Sequence, residues 1–507
     1  MVSSSHKHRP ELHITAETGV LEAPAGALVV DGSMHVFHQF RPRAGEGSRW
    51  AHQVASDVAY DWDVCDDVLV PQQDTGQDTE IDILAGATVP VGGNAVELFF
   101  VTTSADGADS AEALGTAVDH GNRGPRSFTI QRAYVGDVSE LIDVSDDPSE
   151  ADPRVERLGP VTIEDSAFAV DNLVAPCVIK HEDDAFPDQP WLMLALALEG
   201  ESDARIVVLR SADRQNWQVV GPLEVPAEAV RDSRPFAPRI VSMGDATTGT
   251  RHDVIFVTYP GAGEEATELT GYLVGSLSGS RFDVTTPFTP LDHGHDFTRP
   301  RIINRETPVM FGLVGSHPSL ESTWANCLTA PRYLSLIDGV LYQDIIGAPM
   351  AVRSFSDYAF IWAAQLDAKQ GEVTVQLTAE SGSPIATVVY SADKVTVTRH
   401  PSGESRTATL QPAESEALTV FFDSPVCEVF ANGGAATLTS MIPSESRVAS
   451  IDVSTSGGAK VQASMQTAGQ QLMRMQAGLT SPEEQERFQA EAILADRDVA
   501  EGVFEES

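Results

Sequence analysis

The sequence predicts an all-β protein in which a five-bladed β-propeller precedes a β-sandwich and a short C-terminal helical tail. Three observations lead to this prediction: a proline-containing step that recurs through the first 300 residues, a change of strand spacing after Gln343, and a helix-start signature near residue 481. The expected organisation is a flexible N-terminus (residues 1–12), the propeller (13–345), the sandwich (346–465) and a helical, acidic tail (466–507).

The proline repeat carries the propeller prediction. An Ala-Pro step occurs at Pro24, Pro176 and Pro238, and Pro300 keeps the proline. The last three prolines are 62 residues apart, and the same interval from Pro24 reaches Gly86 in another small-residue step. A period of this length, filled with short strands and turns, is typical of propeller blades. Because proline cannot donate to a sheet, we expect it to open the innermost strand of each blade, with the residues before it facing a central pocket.

The segments between these steps have the pattern of short β-strands. Residues 27–30 and 34–40 flank the turn Asp31-Gly32 and predict a hairpin. The Asp-, Gly- and Ala-rich residues 104–126 predict a long loop, which explains why the second interval exceeds 62 residues. The other strands predicted in the propeller are 96–101, 174–179, 191–198, 206–209, 240–243, 254–259, 272–275, 302–303 and 310–313.

After Gln343 the strands follow one another at a spacing typical of a sandwich. The strands predicted there are 373–377, 386–390, 394–398, 417–422, 427–431 and 448–453. In the tail, Ser481-Pro482-Glu483-Glu484 supplies an N-cap, a proline at the first helical position and a capping-box glutamate. We therefore expect a helix over residues 482–497.

Composition excludes several classes of partner. The chain has 74 acidic against 33 basic residues, a formal charge of −41, which would repel nucleic acid and anionic membranes. The first ten residues lack the apolar core of a signal peptide, and no apolar run reaches the length of a membrane span, so we expect a cytoplasmic protein.

We expect no metal and no other cofactor. The cysteines lack metal-type spacing and predict free, buried thiols; they are Cys65, Cys177, Cys327 and Cys427. His293 and His295 have no third ligand at a suitable spacing, so we expect them to line a loop.

Several motifs resemble those of the family 32 glycoside hydrolases, the β-fructosidases that include invertase, levanase and sucrose-6-phosphate hydrolase. Residues 20–26 stand in the place of the family's Trp-Met-Asn-Asp-Pro-Asn-Gly, and residues 37–42 in the place of Phe-Tyr-Gln-Tyr-Asn-Pro. The other matching segments are His13 and residues 211–223, 291–297, 324–343 and 420–430. The resemblance implies a five-bladed propeller followed by a sandwich, in agreement with the repeat.

The positions of the family's three acidic residues hold no acid here. The resemblance assigns the nucleophile to Ala23, the acid/base to Phe236 and the transition-state stabiliser to Ala175. Retaining glycosidases need two carboxyl groups, and neither a methyl nor a phenyl group can attack an anomeric carbon or protonate a leaving oxygen. By analogy with removal of other nucleophiles, the expected loss of activity is on the order of 10⁴ to 10⁶-fold. We therefore assign no catalytic residue.

Other positions keep a link to sugar chemistry. Gln39 and Trp50 match residues that contact the terminal sugar in the family, although a tryptophan at a blade junction is also a common structural residue. Glu428 is expected to be satisfied at the domain interface. The acids nearest the motifs, and hence the candidates for relocated carboxylates, are Glu22, Asp171, Asp232 and Asp296. Glu22 adjoins Ala23, but one step along a strand points a side chain to the opposite face.

Three hypotheses follow. The first is a catalytically inactive pseudoenzyme that keeps the scaffold for binding a fructoside or another saccharide, or for binding a protein partner or a second copy of the chain through the sandwich or the C-terminal helix. The second is an active glycosidase with relocated carboxylates that cleaves sucrose, sucrose 6-phosphate or fructans. The third is a structural or interaction protein whose pocket is plugged by Phe236 and its apolar neighbours.

Overall fold

The structure is a computed structural model. It describes residues 8–56, 59–72, 79–105, 126–142, 144, 150–164, 172–199, 203–261, 268–315, 323–413, 415–442 and 447–476. Within these residues the chain forms seven β-sheets, five in the N-terminal part and two in the C-terminal part. The five N-terminal sheets are the blades of a propeller, and the two others form a sandwich. The all-β prediction is confirmed.

Each blade is an antiparallel meander that runs from an innermost to an outermost strand. Blade 1 contains β1 (Gly19–Val30), β2 (Ser33–Arg41), β3 (Arg49–Ala55) and β4 (Asp63–Val64). Blade 2 contains β5 (Glu80–Gly92), β6 (Ala95–Ala105), β7 (Arg126–Val135) and β8 (Val155–Pro160). The predicted hairpin is β1–β2, in which Val30 lies opposite Ser33 across the turn. The long loop predicted over residues 104–126 lies mostly outside the described residues.

The remaining blades repeat this plan. Blade 3 contains β9 (Thr162–Ile163), β10 (Leu173–Lys180), β11 (Trp191–Glu199), β12 (Asp203–Ser211) and β13 (Asn216–Pro222). Blade 4 contains β14 (Phe236–Gly244), β15 (Arg251–Tyr259), β16 (Leu269–Ser278) and β17 (Arg281–Pro290). Blade 5 contains β18 (Phe297–Ile303), β19 (Val309–Val314), β21 (Cys327–Leu328), β22 (Arg332–Ile337) and β23 (Val340–Asp344). Between β19 and β21, β20 (Trp324–Ala325) pairs in parallel with β1 and joins the last blade to the first.

The propeller core lies between the blades. Five apolar clusters are each shared by two consecutive blades, and the fifth joins blade 5 to blade 1. Middle strands such as β19 are therefore buried on both faces and read as continuous apolar runs. All four cysteines are free and buried, as the sequence predicts.

The five phases of the repeat correspond to the five innermost strands, but proline does not open them. Pro24, Pro176, Pro238 and Pro300 lie inside β1, β10, β14 and β18, where the register of pairing with the next strand shifts. The expected strand-start position is therefore wrong, and the step marks a β-bulge instead. In β10, β14 and β18 the proline is among the residues left unpaired, so it removes no ladder hydrogen bond, whereas Pro24 lies opposite His38 between two register shifts of β1. Gly86 occupies the matching irregularity of β5.

Two five-stranded sheets form the sandwich. One contains, in spatial order, β31 (Ala436–Met441), β30 (Val426–Ala431), β29 (Glu416–Asp423), β24 (Phe360–Asp367) and β33 (Lys460–Ala468). The other contains β28 (Ser405–Thr409), β27 (Lys394–Arg399), β26 (Pro384–Ser391), β25 (Glu372–Ala379) and β32 (Val448–Ser456). Their inner faces share one apolar cluster.

Helices are few in the described part of the chain. They are α1 (Ala348–Phe355), α2 (Gln470–Gln476) and short 3-10 turns at Val138–Glu140, Ala227–Ala229 and Asn432–Gly434. The α1 helix connects the propeller to the sandwich, and α2 follows the last sandwich strand. None of the helices in the described ranges is long and apolar enough to cross a membrane. The helix predicted over residues 482–497 lies outside the described residues.

A buried polar network joins the propeller to the sandwich. His13 lies between two sandwich carboxylates, with Nδ1 2.7 Å from Asp423 and Nε2 2.9 Å from Glu428. Glu428 also accepts from Nη2 of Arg332 at 2.6 Å. Asp423 further accepts from the main-chain N–H groups of Glu11 and Leu12. These last residues of the expected flexible N-terminus are thus fixed on the sandwich, and Glu428 is satisfied at the domain interface, as expected.

Candidate functional site

The five innermost strands form a ring, because each of them packs against the innermost strands of both neighbouring blades, and each of them carries a bulge. The position just before the bulge proline or glycine holds Ala23, Ala85, Ala175, Ala237 and Arg299. The position before that holds Glu22, Leu84, Val174, Phe236 and Thr298. Seven of these residues are partly exposed, and we call them the bulge ring: Glu22, Leu84, Ala85, Val174, Ala175, Phe236 and Arg299.

The backbone at these bulges adopts a conformation that is unusual for the residues present. Ala175, Ala237 and Arg299 have φ angles of 53°, 48° and 51°. L-residues with a Cβ rarely adopt this left-handed region, and Asn and Asp adopt it more readily than Ala. The strained geometry persists because the surrounding sheets fix it, and of the three positions that the resemblance assigns to acids it includes only Ala175.

Glu22 is the acid of the bulge ring nearest the nucleophile position. Its carboxylate accepts hydrogen bonds from Gln39 Nε2 at 2.6 Å, Arg41 Nε at 3.1 Å and Ser48 Oγ at 2.5 Å. The Arg41 guanidinium also donates to Asp82 at 2.8 Å. Burial would lower the pKa of Arg41, but the two carboxylates outweigh burial and raise it. Glu22 therefore belongs to an ion-pair network of blades 1 and 2.

The two predicted sugar-contact residues both make structural contacts. Gln39 donates to Glu22 and accepts from the main-chain N–H of Ala85 at 2.6 Å, so both ends of its amide are engaged. Trp50 has no exposed surface and donates from Nε1 to the carbonyl of Leu84 at 3.1 Å. Both side chains brace blade 1 against the bulge of blade 2. Their contact with a sugar stays a prediction.

A second ion pair lies beside Glu22, on the neighbouring blade 5, where Arg299 also donates from Nη1 to the carbonyl of Glu22 at 3.4 Å. Arg299 donates to Glu268 through Nη2 at 2.5 Å and through Nε at 3.0 Å, and Thr298 donates to the same carboxylate. The guanidinium lies 5.7 Å from the ring centroid of Phe236. The sequence analysis missed both residues of the pair. The repeat contains a signal for Arg299, because the same position holds alanine in the four other blades.

The remaining candidate acids do not join this arrangement. Asp232 is exposed, ahead of β14. Asp296 is buried against the sandwich, where it pairs with Arg399 and accepts from the N–H of Met441 at 2.7 Å. Burial raises the pKa of Asp296. Its carboxylate is thus committed to the domain interface. Asp171 lies outside the described residues.

The two candidate histidines lie in the loop between β17 and β18, as expected. His295 Nδ1 is 2.8 Å from Ser440 Oγ, and the main-chain N–H of His293 donates to Thr437. Burial lowers the pKa of His295 to about 3, so this ring is neutral at physiological pH. The loop therefore packs on the sandwich and contributes no charge to the bulge ring.

The arrangement has the features of a binding site for a polar ligand. One side carries the charged residues Glu22 and Arg299, and the other side carries the apolar side chains of Leu84, Val174 and Phe236. An aromatic ring can pack on the apolar face of a sugar, while charged groups accept from or donate to its hydroxyls. The positions to which the motif resemblance assigns the two reacting carboxyl groups hold a methyl group, at Ala23, and a phenyl group, at Phe236; this assignment stays a prediction.

Two family models match consecutive parts of the chain. Residues 175–344 match the glycosyl hydrolases family 32 N-terminal domain, and residues 347–468 match the glycosyl hydrolases family 32 C terminal. The first match begins at Ala175, in blade 3. Together the two matches account for most of the described propeller and for nearly the whole sandwich.

The curated relatives that match the chain are named as sucrose-6-phosphate hydrolases. The sucrose-6-phosphate hydrolase of Bacillus subtilis is 24% identical over 69% of this chain and 68% of its own length. A probable sucrose-6-phosphate hydrolase of Psychromonas ingrahamii is 23% identical over 90% of this chain and 80% of its own length. The alignment with the Psychromonas ingrahamii protein covers 90% of this chain and therefore extends over both the propeller and the sandwich.

Solved structures show the same fold. The sucrose-6-phosphate hydrolase of Lactobacillus gasseri superposes with a TM-score of 0.69 at 19% identity, covering 89% of this chain and 92% of that one. The β-fructofuranosidase of Bombyx mori gives a TM-score of 0.67 at 19% identity, covering 91% and 94%. With both family models matched in order and the propeller and sandwich superposed on family enzymes, the chain belongs to glycoside hydrolase family 32.

Proposed function

We propose that this family 32 protein binds a saccharide of the fructoside class at the bulge ring without hydrolysing it. The observation that carries the proposal is the replacement of the whole acidic set. Ala23, Ala175 and Phe236 occupy the three positions, while the bulges that would present acids there remain in the innermost strands. A double displacement through these positions has neither a nucleophile nor a proton donor.

The acids near the bulge ring support a binding role better than a catalytic one. The carboxylate of Glu22 is occupied by Gln39, Arg41 and Ser48, and that of Glu268 by Arg299 and Thr298. Charge-assisted bonds of this kind fix a side chain in one position. Glycosidase chemistry instead requires two free carboxyl groups on opposite sides of the scissile bond, about 5 Å apart in retaining enzymes.

The ligand class follows from the chemistry of the ring and from the relatives. A fructoside combines hydroxyl groups with an apolar ring face, and the bulge ring combines Glu22 and Arg299 with Leu84, Val174 and Phe236. The curated relatives are sucrose-6-phosphate hydrolases, and the Bombyx mori enzyme has been solved as a variant in complex with sucrose. The family scaffold is therefore suited to this class of sugar.

The proposal is tested by titrating the purified protein with fructose, sucrose and sucrose 6-phosphate while the thermal midpoint is recorded. A ligand that binds only the folded state raises the midpoint in a saturable way. We expect one of these sugars to do so, with no fructose released. Phe236→Ala should weaken the binding about tenfold, whereas Phe355→Ala, an exposed phenylalanine on α1, should leave it unchanged.

Two results would overturn the proposal. Saturable binding with release of fructose would mean an active enzyme with relocated carboxylates. Absence of protection by all three sugars would mean that the scaffold serves another purpose, such as association with a partner.

A further inference from the structure

Two arginines on neighbouring innermost strands are buried deeper than the bulge ring. Arg239 and Arg301 each follow the bulge proline of their strand by one residue and are 4% and 5% exposed. The equivalent positions of the first three blades hold the small residues Ala25, Ala87 and Cys177. The propeller therefore has two long cationic side chains at one level of its innermost strands, on the side of blades 4 and 5.

The two guanidinium groups converge on the propeller axis. Arg239 donates from Nη1 to the carbonyl of Ala175 in blade 3 at 3.1 Å, and Arg301 donates from Nε to the carbonyl of Pro24 in blade 1 at 3.2 Å. The thiol of Cys177, also in blade 3, is close enough to influence both. Groups from blades 1, 3, 4 and 5 meet only where the innermost strands surround the axis.

The charge of this pair is not balanced within the part of the chain that the structure describes. Neither arginine forms an ion pair there, and their acceptors are main-chain carbonyls. Arg239 Nε and Arg301 Nη1 are buried without a hydrogen-bond partner. Other fully buried arginines pair with acids: Arg41 with Asp82, Arg210 with Asp183 and Arg332 with Glu428.

An unbalanced pair of this kind is unfavourable for folding. Buried charges are normally paired, because removing them from water is costly, and two like charges also repel each other. Burial lowers the pKa of Arg239 to about 10, so it remains a cation at neutral pH. A chain with more than twice as many acidic as basic residues places no described acid beside either arginine. A negative charge from solution would balance the pair.

We propose that the propeller axis binds a small inorganic anion between Arg239 and Arg301. The free Nε–H of Arg239 and the free Nη1 of Arg301 would donate to it, and its charge would balance theirs. A halide and a tetrahedral oxyanion share this chemistry. The site adjoins the bulge ring through the bond of Arg239 to the Ala175 carbonyl, but the inference rests on the unbalanced charge of the two arginines and does not depend on the proposed function.

The test is the thermal midpoint of the purified protein at constant ionic strength, with gluconate replaced stepwise by chloride in one series and by sulfate in another. Binding to the folded state predicts a saturable rise on the order of 2 °C or more in at least one series. A rise with chloride alone identifies a halide site, and a rise with sulfate alone identifies an oxyanion site. No saturable rise in either series would overturn the proposal.

Variants assign the effect to the axis. Arg301→Met and Arg239→Met should remove the saturable rise, because each deletes one of the two donors. Arg157→Met is the matched control: it also removes one positive charge, but from a guanidinium that pairs with Glu80 at 2.8 Å in blade 2. The control should keep the rise. A rise that persists in both axial variants would contradict the site.

A crystallographic measurement remains decisive if the axial variants fail to fold. Crystals of the unaltered protein grown in bromide should show an anomalous scattering peak between the two guanidinium groups. A carboxylate of the chain in that position, or no peak there, would overturn the proposal.

Discussion

The guanidinium of Arg41 donates to the carboxylate of Glu22 at 3.1 Å. Glu22 immediately precedes Ala23, the position to which the motif resemblance assigns the nucleophile. Arg41 is buried, and its second carboxylate partner is Asp82. An acid thus survives next to Ala23, but it is bound within the sheet network of blades 1 and 2. This pairing favours a structural role for Glu22 over the role of a relocated catalytic acid.

Replacing Glu22 should therefore affect stability. Glu22→Gln leaves the buried Arg41 with one charged partner, and we expect the free energy of unfolding to fall by about 1 to 3 kcal/mol. Denaturant unfolding measures it. The control is Asp283→Asn, whose exposed ion pair with Arg281 should contribute less than about 1 kcal/mol. A Glu22→Gln variant of unchanged stability that loses measurable fructose release would contradict the structural role.

The bulge of blade 3 should accept an acid. Ala175 has φ 53° and is partly exposed, and aspartate adopts this region more readily than alanine. We expect Ala175→Asp to change the free energy of unfolding by less than about 1 kcal/mol, whereas the β-branched Ala175→Val should lower it by about 2 kcal/mol. Equal losses in the two variants would mean that the left-handed conformation does not control this position.

The pH dependence of folding stability should show the titration of His13, the histidine at the domain interface. Burial lowers the pKa of His13, but its bonds to Asp423 and Glu428 outweigh burial and raise it to about 9. The folded pKa thus lies above the usual value of about 6.5, so protonated His13 stabilises the fold fully below that pH. This contribution is lost as the pH rises through about 9. In unfolding measurements from pH 6 to 9.5, His13→Gln should flatten this decline.

His252→Gln serves as the control, because His252 lies on blade 4 away from this network, and the decline should persist in it. A decline of the same size in His13→Gln would show that other groups cause it.

The loss of folding stability at low pH should depend on Glu428. Burial would raise its pKa, but Arg332 and His13 outweigh burial and lower it to about 2. The folded pKa lies below the usual value of about 4.3, so ionised Glu428 stabilises the fold above that pH and loses this effect as the pH falls toward 2. Glu428→Gln should show a shallower acid decline than the unaltered protein in the same unfolding measurement. If the stability of Glu428→Gln and of the unaltered protein declined identically at low pH, the titrating group would be a residue other than Glu428.

The sequence predicted the architecture because both of its signals are local. The repeated step occurs once per blade, with proline in four blades and Gly86 in blade 2, and the strand spacing changes where the sandwich begins. The same step could not distinguish a strand start from a bulge, since a bulge is defined by the register against the next strand. Proline has no N–H to donate to a ladder, and neither a strand start nor a bulge requires that donor. The residue type is therefore compatible with both positions.

The contacts within the site were harder to predict than the fold. The pairing of Glu22 with Arg41 depends on the bulge, which changes the alternation of faces that a regular strand would have. Arg239, Arg299 and Arg301 acquire their neighbours across blade boundaries: Arg239 from blade 3, Arg299 from Glu268 of blade 4, and Arg301 from blade 1. No short-range pattern reports these contacts. The predicted loss of the three acids, in contrast, depends only on the residue types at Ala23, Ala175 and Phe236, which the sequence gives directly.

The most direct test of the account is fructose release from sucrose, sucrose 6-phosphate and levan by the purified protein, beside a variant that carries Ala23→Asp, Ala175→Asp and Phe236→Glu. We expect no release above the enzyme-free blank from the unaltered protein. Any release by the triple variant would show that the bulge ring still fits a fructoside. Release well above the blank by the unaltered protein would contradict the account and assign catalysis to carboxylates such as Glu22 and Glu268.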